Sequence, residues 1–172
     1  MKKLIGVAAL CAASANLGAC ATVINGTSQP VEFDSDPKSA NVELLTGLKC
    51  ETPCEYSMKR GHDSRVTFTK AGYQPVTVNI QSRTGGGVAG NILAGGLIGG
   101  VVDASNGAAN HLYPDPVFVR MVPEGSSERA MLLDKKGEVI SSVDEYNAKV
   151  AADVNEGLQK QGYVAKSATP SQ

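Results

Sequence analysis

Short runs in which apolar and polar residues alternate dominate the chain between residues 30 and 80. The apolar members are Val31 and Phe33, then Val42 and Leu44, Tyr56 and Met58, Val66 and Phe68, and finally Val76, Val78 and Ile80. Because successive side chains of a strand point to opposite faces, each run predicts a strand with one buried face. The runs begin about ten residues apart with Gly or Pro between them, which predicts a small antiparallel β-sandwich.

The sequence predicts further elements after these runs. Residues 116–122 predict a strand that returns to the sheet, so the sandwich domain spans residues 30–122. Residues 130–140 predict a hairpin with Gly137 at a left-handed turn position. Ser142 and Glu145 form a capping box ahead of an apolar stripe at helical spacing. The stripe contains Val143, Tyr146, Val150, Val154 and Leu158. We expect residues 123–162 to form this hairpin and an amphipathic helix that packs on the sheet and ends at Gly162, followed by a flexible tail at 163–172.

The start of the chain has the layout of a secretory signal. Two lysines precede an apolar run of about ten residues, which is too short to span a bilayer. Leu17-Gly18-Ala19-Cys20 follows and resembles a bacterial lipobox. The resemblance implies removal of residues 1–19 and a Cys20 that carries S-diacylglycerol and N-palmitoyl groups. The alternative is an ordinary signal peptide with an incidental cysteine.

The lipobox resemblance also implies a location. In Gram-negative lipoproteins of this type, Asp after the cysteine favours the inner membrane, whereas this chain has Ala21. We therefore expect residues 20–29 to be a tether that holds the domain at the outer membrane, facing the periplasm. Several acyl chains hold a protein stably at a bilayer, whereas one chain does so only marginally.

Charge and composition exclude some partners. Removing residues 1–19 takes away two lysines and no acid, so the formal net charge changes from −1 to −3. The chain has no Trp, and 5% of its residues are aromatic. Neither a basic surface nor a stacking platform is indicated, so we expect no nucleic-acid partner.

Cys50 and Cys54 remain as an even pair once Cys11 has left with the signal and Cys20 is acylated. Three residues separate the pair, whereas a redox pair usually has two and a zinc site needs four ligands. Only two histidines are present in the whole chain. A structural disulfide that pins a turn beside the sheet is favoured over metal or redox chemistry, and no cofactor or metal residue is predicted.

Several short motifs lie at regular positions in residues 37–80: Pro37-Lys38-Ser39-Ala40, Gly47, Thr52-Pro53, Gly61-His62 and Lys70-Ala71-Gly72-Tyr73. Together they resemble the PEGA domain, a small all-β module of bacterial envelope proteins. The chain departs from the family pattern where Lys-Ser replaces Glu-Gly and where the cysteine pair brackets Thr52-Pro53. The resemblance implies a fold and an envelope setting, and it implies no reaction.

Residues 85–107 are rich in glycine. Gly85-x-Gly87-x-x-Gly90 matches a dinucleotide fingerprint, but the neighbouring strands are antiparallel in pattern and no βαβ unit follows. Small residues recur every fourth position between Gly86 and Ala104, a pattern that lets helices approach closely. Three interpretations are open: a helical or looped insertion packed on the chain's own sandwich, a glycine zipper that contacts the membrane or other copies, and a flexible linker.

Three functions follow from these features. The first is a non-catalytic binding or structural module of the cell envelope, with an envelope protein or the cell wall as partner. The second is membrane association or self-association through Gly86 to Ala104. The third is a periplasmic hydrolase, for which His62-Asp63-Ser64 contains the residue types of a catalytic triad. It is disfavoured because neighbouring side chains on a strand or turn point apart, and no catalytic residue is predicted.

Overall fold

The structure is a computed structural model that describes residues 26–84 and 110–163. The described strands are β1 Ser28–Asp36, β2 Asn41–Leu44, β3 Lys49–Glu51, β4 Cys54–Lys59, β5 Ser64–Thr69, β6 Val76–Thr84, β7 Asn110–Tyr113, β8 Val117–Arg120, β9 Met131–Leu133 and β10 Val139–Ser142. They form two five-stranded sheets, in the orders β10-β9-β8-β1-β4 and β3-β2-β5-β6-β7, and the helix α1 spans Val143–Lys160. The predicted fold class, mainly β with a C-terminal helix, is confirmed.

The core lies between the sheets and is built from the alternating runs. Val31 and Phe33 of β1 and Val66 and Phe68 of β5 are all fully buried. The apolar residues of β4 are only partly buried, because β4 lies at the edge of its sheet. Alternation thus predicted which side of each of these strands faces inward, and the inward side of the edge strand β4 is less completely covered than those of β1 and β5.

Strand boundaries and pairing differ from the predictions in several places. β1 begins at Ser28, so the last two residues of the predicted tether belong to the sheet. β3 and β7 were not predicted, because β3 has three residues and β7 has a single fully buried residue, Leu112, so neither shows an alternation. The returning strand is confirmed as β8, but it pairs with β1 in parallel, whereas the other strand pairs of the described residues are antiparallel.

The predicted hairpin and helix are also confirmed. Gly137 turns the β9–β10 hairpin with φ of 81°, and Ser142 Oγ accepts a hydrogen bond from the Glu145 amide at 3.2 Å. All five residues of the apolar stripe are buried, and Gly162 follows the helix with φ of 83°. The helix contacts β6 in one sheet and β9 and β10 in the other, so it packs across both sheets.

The side chain of Asn147 attaches this helix to a part of β6 that has no strand partner on one side among the described residues. β7 pairs with β6 only from Gln81 to Thr84, so the preceding part of that edge has no strand partner. The Asn147 side chain accepts a hydrogen bond from the Asn79 amide at 2.9 Å and donates one to the Thr77 carbonyl at 2.7 Å. A helix side chain therefore satisfies the backbone groups that a neighbouring strand would satisfy.

Several predictions concern residues outside the described ranges. They are the signal peptide 1–19, the acylation of Cys20, the glycine-rich segment 85–107 and the tail beyond Tyr163.

Candidate functional site

The cysteine pair joins the edges of the two sheets. Cys50 lies in β3 and Cys54 in β4, strands of different sheets, and the two residues form a disulfide with their Cα atoms 6.4 Å apart. Thr52 between them is buried, and its hydroxyl accepts a hydrogen bond from the Ala40 amide at 2.9 Å and bonds to Ser35 Oγ at 2.5 Å. The predicted disulfide is confirmed, and the turn that it pins is the crossing from one sheet to the other.

The strand directions place several chain segments at one end of the sandwich, which we call the N-terminal pole. It is defined by Ser28, where β1 begins, and Lys59, where β4 ends, because these two residues pair. Thr84 pairs with Asn110 at the same end, because Arg60 binds the carbonyls of both Ser28 and Asn110. The opposite end, the distal pole, contains Asp36 and the loop that follows β8.

Arg60 holds the N-terminal pole together. Its guanidinium donates to the carbonyl of Ser28 at 3.1 Å and to the carbonyl of Asn110 at 3.3 Å. It also bonds to Gln29 Oε1 at 3.3 Å and to His111 Nδ1 at 3.0 Å. All four partner groups are carbonyl, amide or imidazole atoms, so no carboxylate compensates the guanidinium charge in these contacts. The residue thus ties the start of β1 to the start of β7, which lies in the other sheet.

A polar cleft of about 370 Å³ opens beside this pole, between α1 and the strand ends. Its walls include His62, Asp63, Ser82, Asp153, Glu156 and Lys160. Asp63 Oδ1 accepts a hydrogen bond from the Ser82 amide at 2.9 Å. Partial burial raises the pKa of Asp63, although that hydrogen bond acts in the opposite direction. Glu156 accepts a hydrogen bond from Lys160 at 2.6 Å, and this bond lowers the pKa of Glu156.

The carboxyl group of Asp63 also packs against α1 at Gly157. A Cβ atom on Gly157 would overlap Asp63 Oδ2 and would lie 2.7 Å from Asp63 Cγ. Glycine inside a helix costs about 1 kcal/mol relative to alanine, so its presence here has a steric reason. Neither residue was predicted as part of a cleft, and the available signal was a glycine within an otherwise regular amphipathic helix.

His62, Asp63 and Ser64 do not assemble a catalytic relay. Ser64 is buried in β5, and its hydroxyl has no hydrogen-bond partner. The Asp63 carboxyl instead binds the amide of Ser82 and packs against the helix. Within residues 26–84 and 110–163, no group of three or more His, Cys, Asp or Glu is placed to hold a metal ion.

Large apolar side chains are exposed at the N-terminal pole. Leu45 and Leu48 are 39% and 48% exposed in the turn between β2 and β3. This turn lies at the N-terminal pole, because Leu44 at the end of β2 pairs with Val66 near the start of β5. Tyr163, 37% exposed, follows α1, whose last turns lie beside the same pole at Asp63.

Comparison of the chain with protein-family models, with curated proteins and with solved structures found no match. None of the described helices has the length and apolar character needed to cross a membrane.

Proposed function

We propose that this chain is a lipid-anchored lipoprotein of the bacterial outer membrane that serves as a non-catalytic binding or structural module in the periplasm. The observation that carries the proposal is the lipobox-like Leu17-Gly18-Ala19-Cys20 after a short cationic and apolar leader. The PEGA-like motifs in residues 37–80 give separate support, since that resemblance implies an envelope setting.

The position of β1 is compatible with this anchoring. Seven residues separate Cys20 from Ser28, the first residue of the sheet. Eight residue steps span at most about 29 Å, so an acylated Cys20 keeps the sandwich within that distance of the bilayer. The disulfide between Cys50 and Cys54 suits an oxidising compartment such as the periplasm. The partner in this proposal is an envelope protein or the cell wall.

Metabolic labelling tests the proposal. Cells that express the full chain are grown with radiolabelled palmitate, and the chain is compared with a Cys20→Ser variant. We expect label and membrane association in the native chain and loss of both in the variant. A native chain without label, or a Cys20→Ser variant that remains in the membrane fraction, would refute lipid anchoring. The Cys50→Ser variant is the matched control, because it changes a cysteine outside the lipobox and should keep the label.

A second candidate function is self-association or membrane association through Gly86 to Ala104. The observation that favours it is the pairing of Thr84 with Asn110, the described residues that flank this segment, at the N-terminal pole near the start of β1. Replacing Gly95 and Gly99 with leucine should abolish crosslinked oligomers in the membrane fraction. Crosslinks that are unchanged in this variant would reject the zipper.

A further inference from the structure

The exposed apolar side chains of the described residues are unevenly distributed. Four large ones are exposed: Leu45, Leu48, Val139 and Tyr163. Leu45, Leu48 and Tyr163 lie at the N-terminal pole, and the two leucines share one turn of four residues. Scattered exposed apolar residues are normal on a protein surface, whereas the two leucines of this one turn form a local apolar patch at the end where β1 begins.

Cationic side chains lie at the same pole. Lys59 is exposed at the end of β4, opposite Ser28. Arg60 follows it, and its hydrogen-bond partners are the neutral groups described above. Of the carboxylates in the cleft beside this pole, Glu156 is paired with Lys160, whereas Asp63 and Asp153 accept hydrogen bonds from the neutral Ser82 amide and Gln81 side chain. Exposed apolar residues next to cations are the features by which protein surfaces bind anionic lipid interfaces.

The length of chain before β1 decides which end faces a bilayer. At full extension the eight steps from Cys20 to Ser28 cover about 29 Å, whereas β1 alone is about 26 Å long. To turn the distal pole toward the membrane, the tether would have to lie nearly straight along the whole sandwich. The N-terminal pole reaches the surface with slack in the tether and therefore faces it.

We propose that the N-terminal pole lies against a phospholipid bilayer with anionic headgroups, with the Leu45–Leu48 turn inserted into the interface and Lys59 and Arg60 at headgroup level. This proposal rests on the lipid anchoring proposed above. It adds a defined orientation in which the distal pole, with Glu124 and the loop that follows β8, points away from the membrane.

The absence of Trp from the chain allows a direct test. Leu48→Trp and Glu124→Trp each introduce a single indole, one at each pole. Both positions are exposed, so neither substitution fills a packed site. Each acylated full-length variant is reconstituted into vesicles of phosphatidylethanolamine and phosphatidylglycerol, with and without brominated acyl chains. Circular dichroism confirms that both variants are folded.

We expect bromine to quench the indole of the Leu48→Trp variant at least about twofold, since apolar residues of interfacial segments lie roughly 5–10 Å deep. The indole of the Glu124→Trp variant should be almost unchanged. Adding Lys59→Glu to the Leu48→Trp variant should reduce the quenching, and replacing phosphatidylglycerol with phosphatidylcholine should do the same. Equal quenching at the two poles would overturn the proposal. An indole at position 48 whose emission changes with protein density in the membrane and not with bromine would also overturn it, because a second copy would then cover the turn.

Flotation of the same vesicles separates the two proposals. If the acylated chain does not float with vesicles, or the Cys20→Ser variant floats equally well, lipid anchoring fails. If the acylated chain floats and the indole at position 48 is not quenched, anchoring stands and the orientation is wrong.

Discussion

Replacing Gly157 with alanine should destabilise the protein, although the same change in an ordinary helix stabilises it. Gly157 lies inside α1, where alanine gains about 1 kcal/mol over glycine because the unfolded chain loses freedom. Here the added methyl group would overlap Asp63 Oδ2 and would lie 3.2 Å from Asp63 Cβ. Because of this contact, we expect the substitution to lower the free energy of unfolding, whereas in an ordinary helix it raises it.

The size of the effect follows from what Asp63 must give up. Its carboxylate has to turn away from the helix and release the Ser82 amide, which costs about 1.5 kcal/mol for a hydrogen bond to a charged group. Residual crowding against Asp63 Cβ adds about 1 kcal/mol, at the low end of overpacking. Set against the helix gain of about 1 kcal/mol, the net loss in the free energy of unfolding is about 1–2 kcal/mol.

A double-mutant cycle identifies the cause. In an Asp63→Ala background the space beside the helix is open, so Gly157→Ala should stabilise the protein by about 0.5–1 kcal/mol. Urea unfolding followed by circular dichroism gives the free energy of unfolding of all four proteins. An equal slope of that free energy against urea concentration shows that their unfolded states are comparable. A Gly157→Ala chain that is more stable than the native one, with no coupling to Asp63, would show that the carboxyl does not press on the helix.

Three further predictions concern stability. The folded-state pKa of Asp63 is raised by burial, so its protonation contributes to the free energy of unfolding at a pH below the ordinary pKa of 3.8. That contribution is lost as the pH rises through the raised pKa. Asp63→Asn should remove this loss, which is under about 1 kcal/mol for a partly exposed group, and urea midpoints across the acidic range would detect it. Asn147→Ala should cost about 1–3 kcal/mol in urea unfolding because it leaves two backbone groups of β6 unpaired, whereas Asn147→Asp keeps the acceptor and should cost less. Replacing Cys50 and Cys54 with serine should lower the free energy of unfolding by at most about 2 kcal/mol, since the closed loop is short, and a larger loss would show that the bond does more than close this loop.

The fold could be predicted from the sequence wherever the pattern was long enough to have a period. The two-residue alternation of Val31 with Phe33 and of Val66 with Phe68 placed four side chains in the core. The three- and four-residue spacing from Val143 to Leu158 gave the helix and its buried face. Local chemistry also sufficed for the helix cap at Ser142, because the donor and the acceptor are three residues apart.

The cleft beside α1 could not be predicted, because its residues are far apart in the chain. Asp63 and Gly157 are separated by about half of the sequence, and neither belongs to a motif that points to the other. The parallel pairing of β1 with β8 could not be predicted either. β4 occupies one edge of β1, and the other edge can pair with a strand in either direction. Long-range contacts of this kind depend on the packed fold and have no local signal.

The three-residue strand β3 decides which segments share a pole with β1. Each antiparallel strand reverses the chain, so the pole at which β6 ends depends on the number of strands that precede it. The sequence patterns show β1, β2, β4, β5 and β6, and an unbroken alternation of these five would end β6 at the distal pole. The additional reversal through β3 ends β6 at the N-terminal pole instead, where Thr84 lies beside the start of β1. β3 is held by its pairing with β2, by the disulfide at Cys50 and by the hydrogen bond from the Tyr56 hydroxyl to its Lys49 carbonyl. The cysteine pair thus stabilises the reversal that brings Ser28 and Thr84 to the same end of the sandwich.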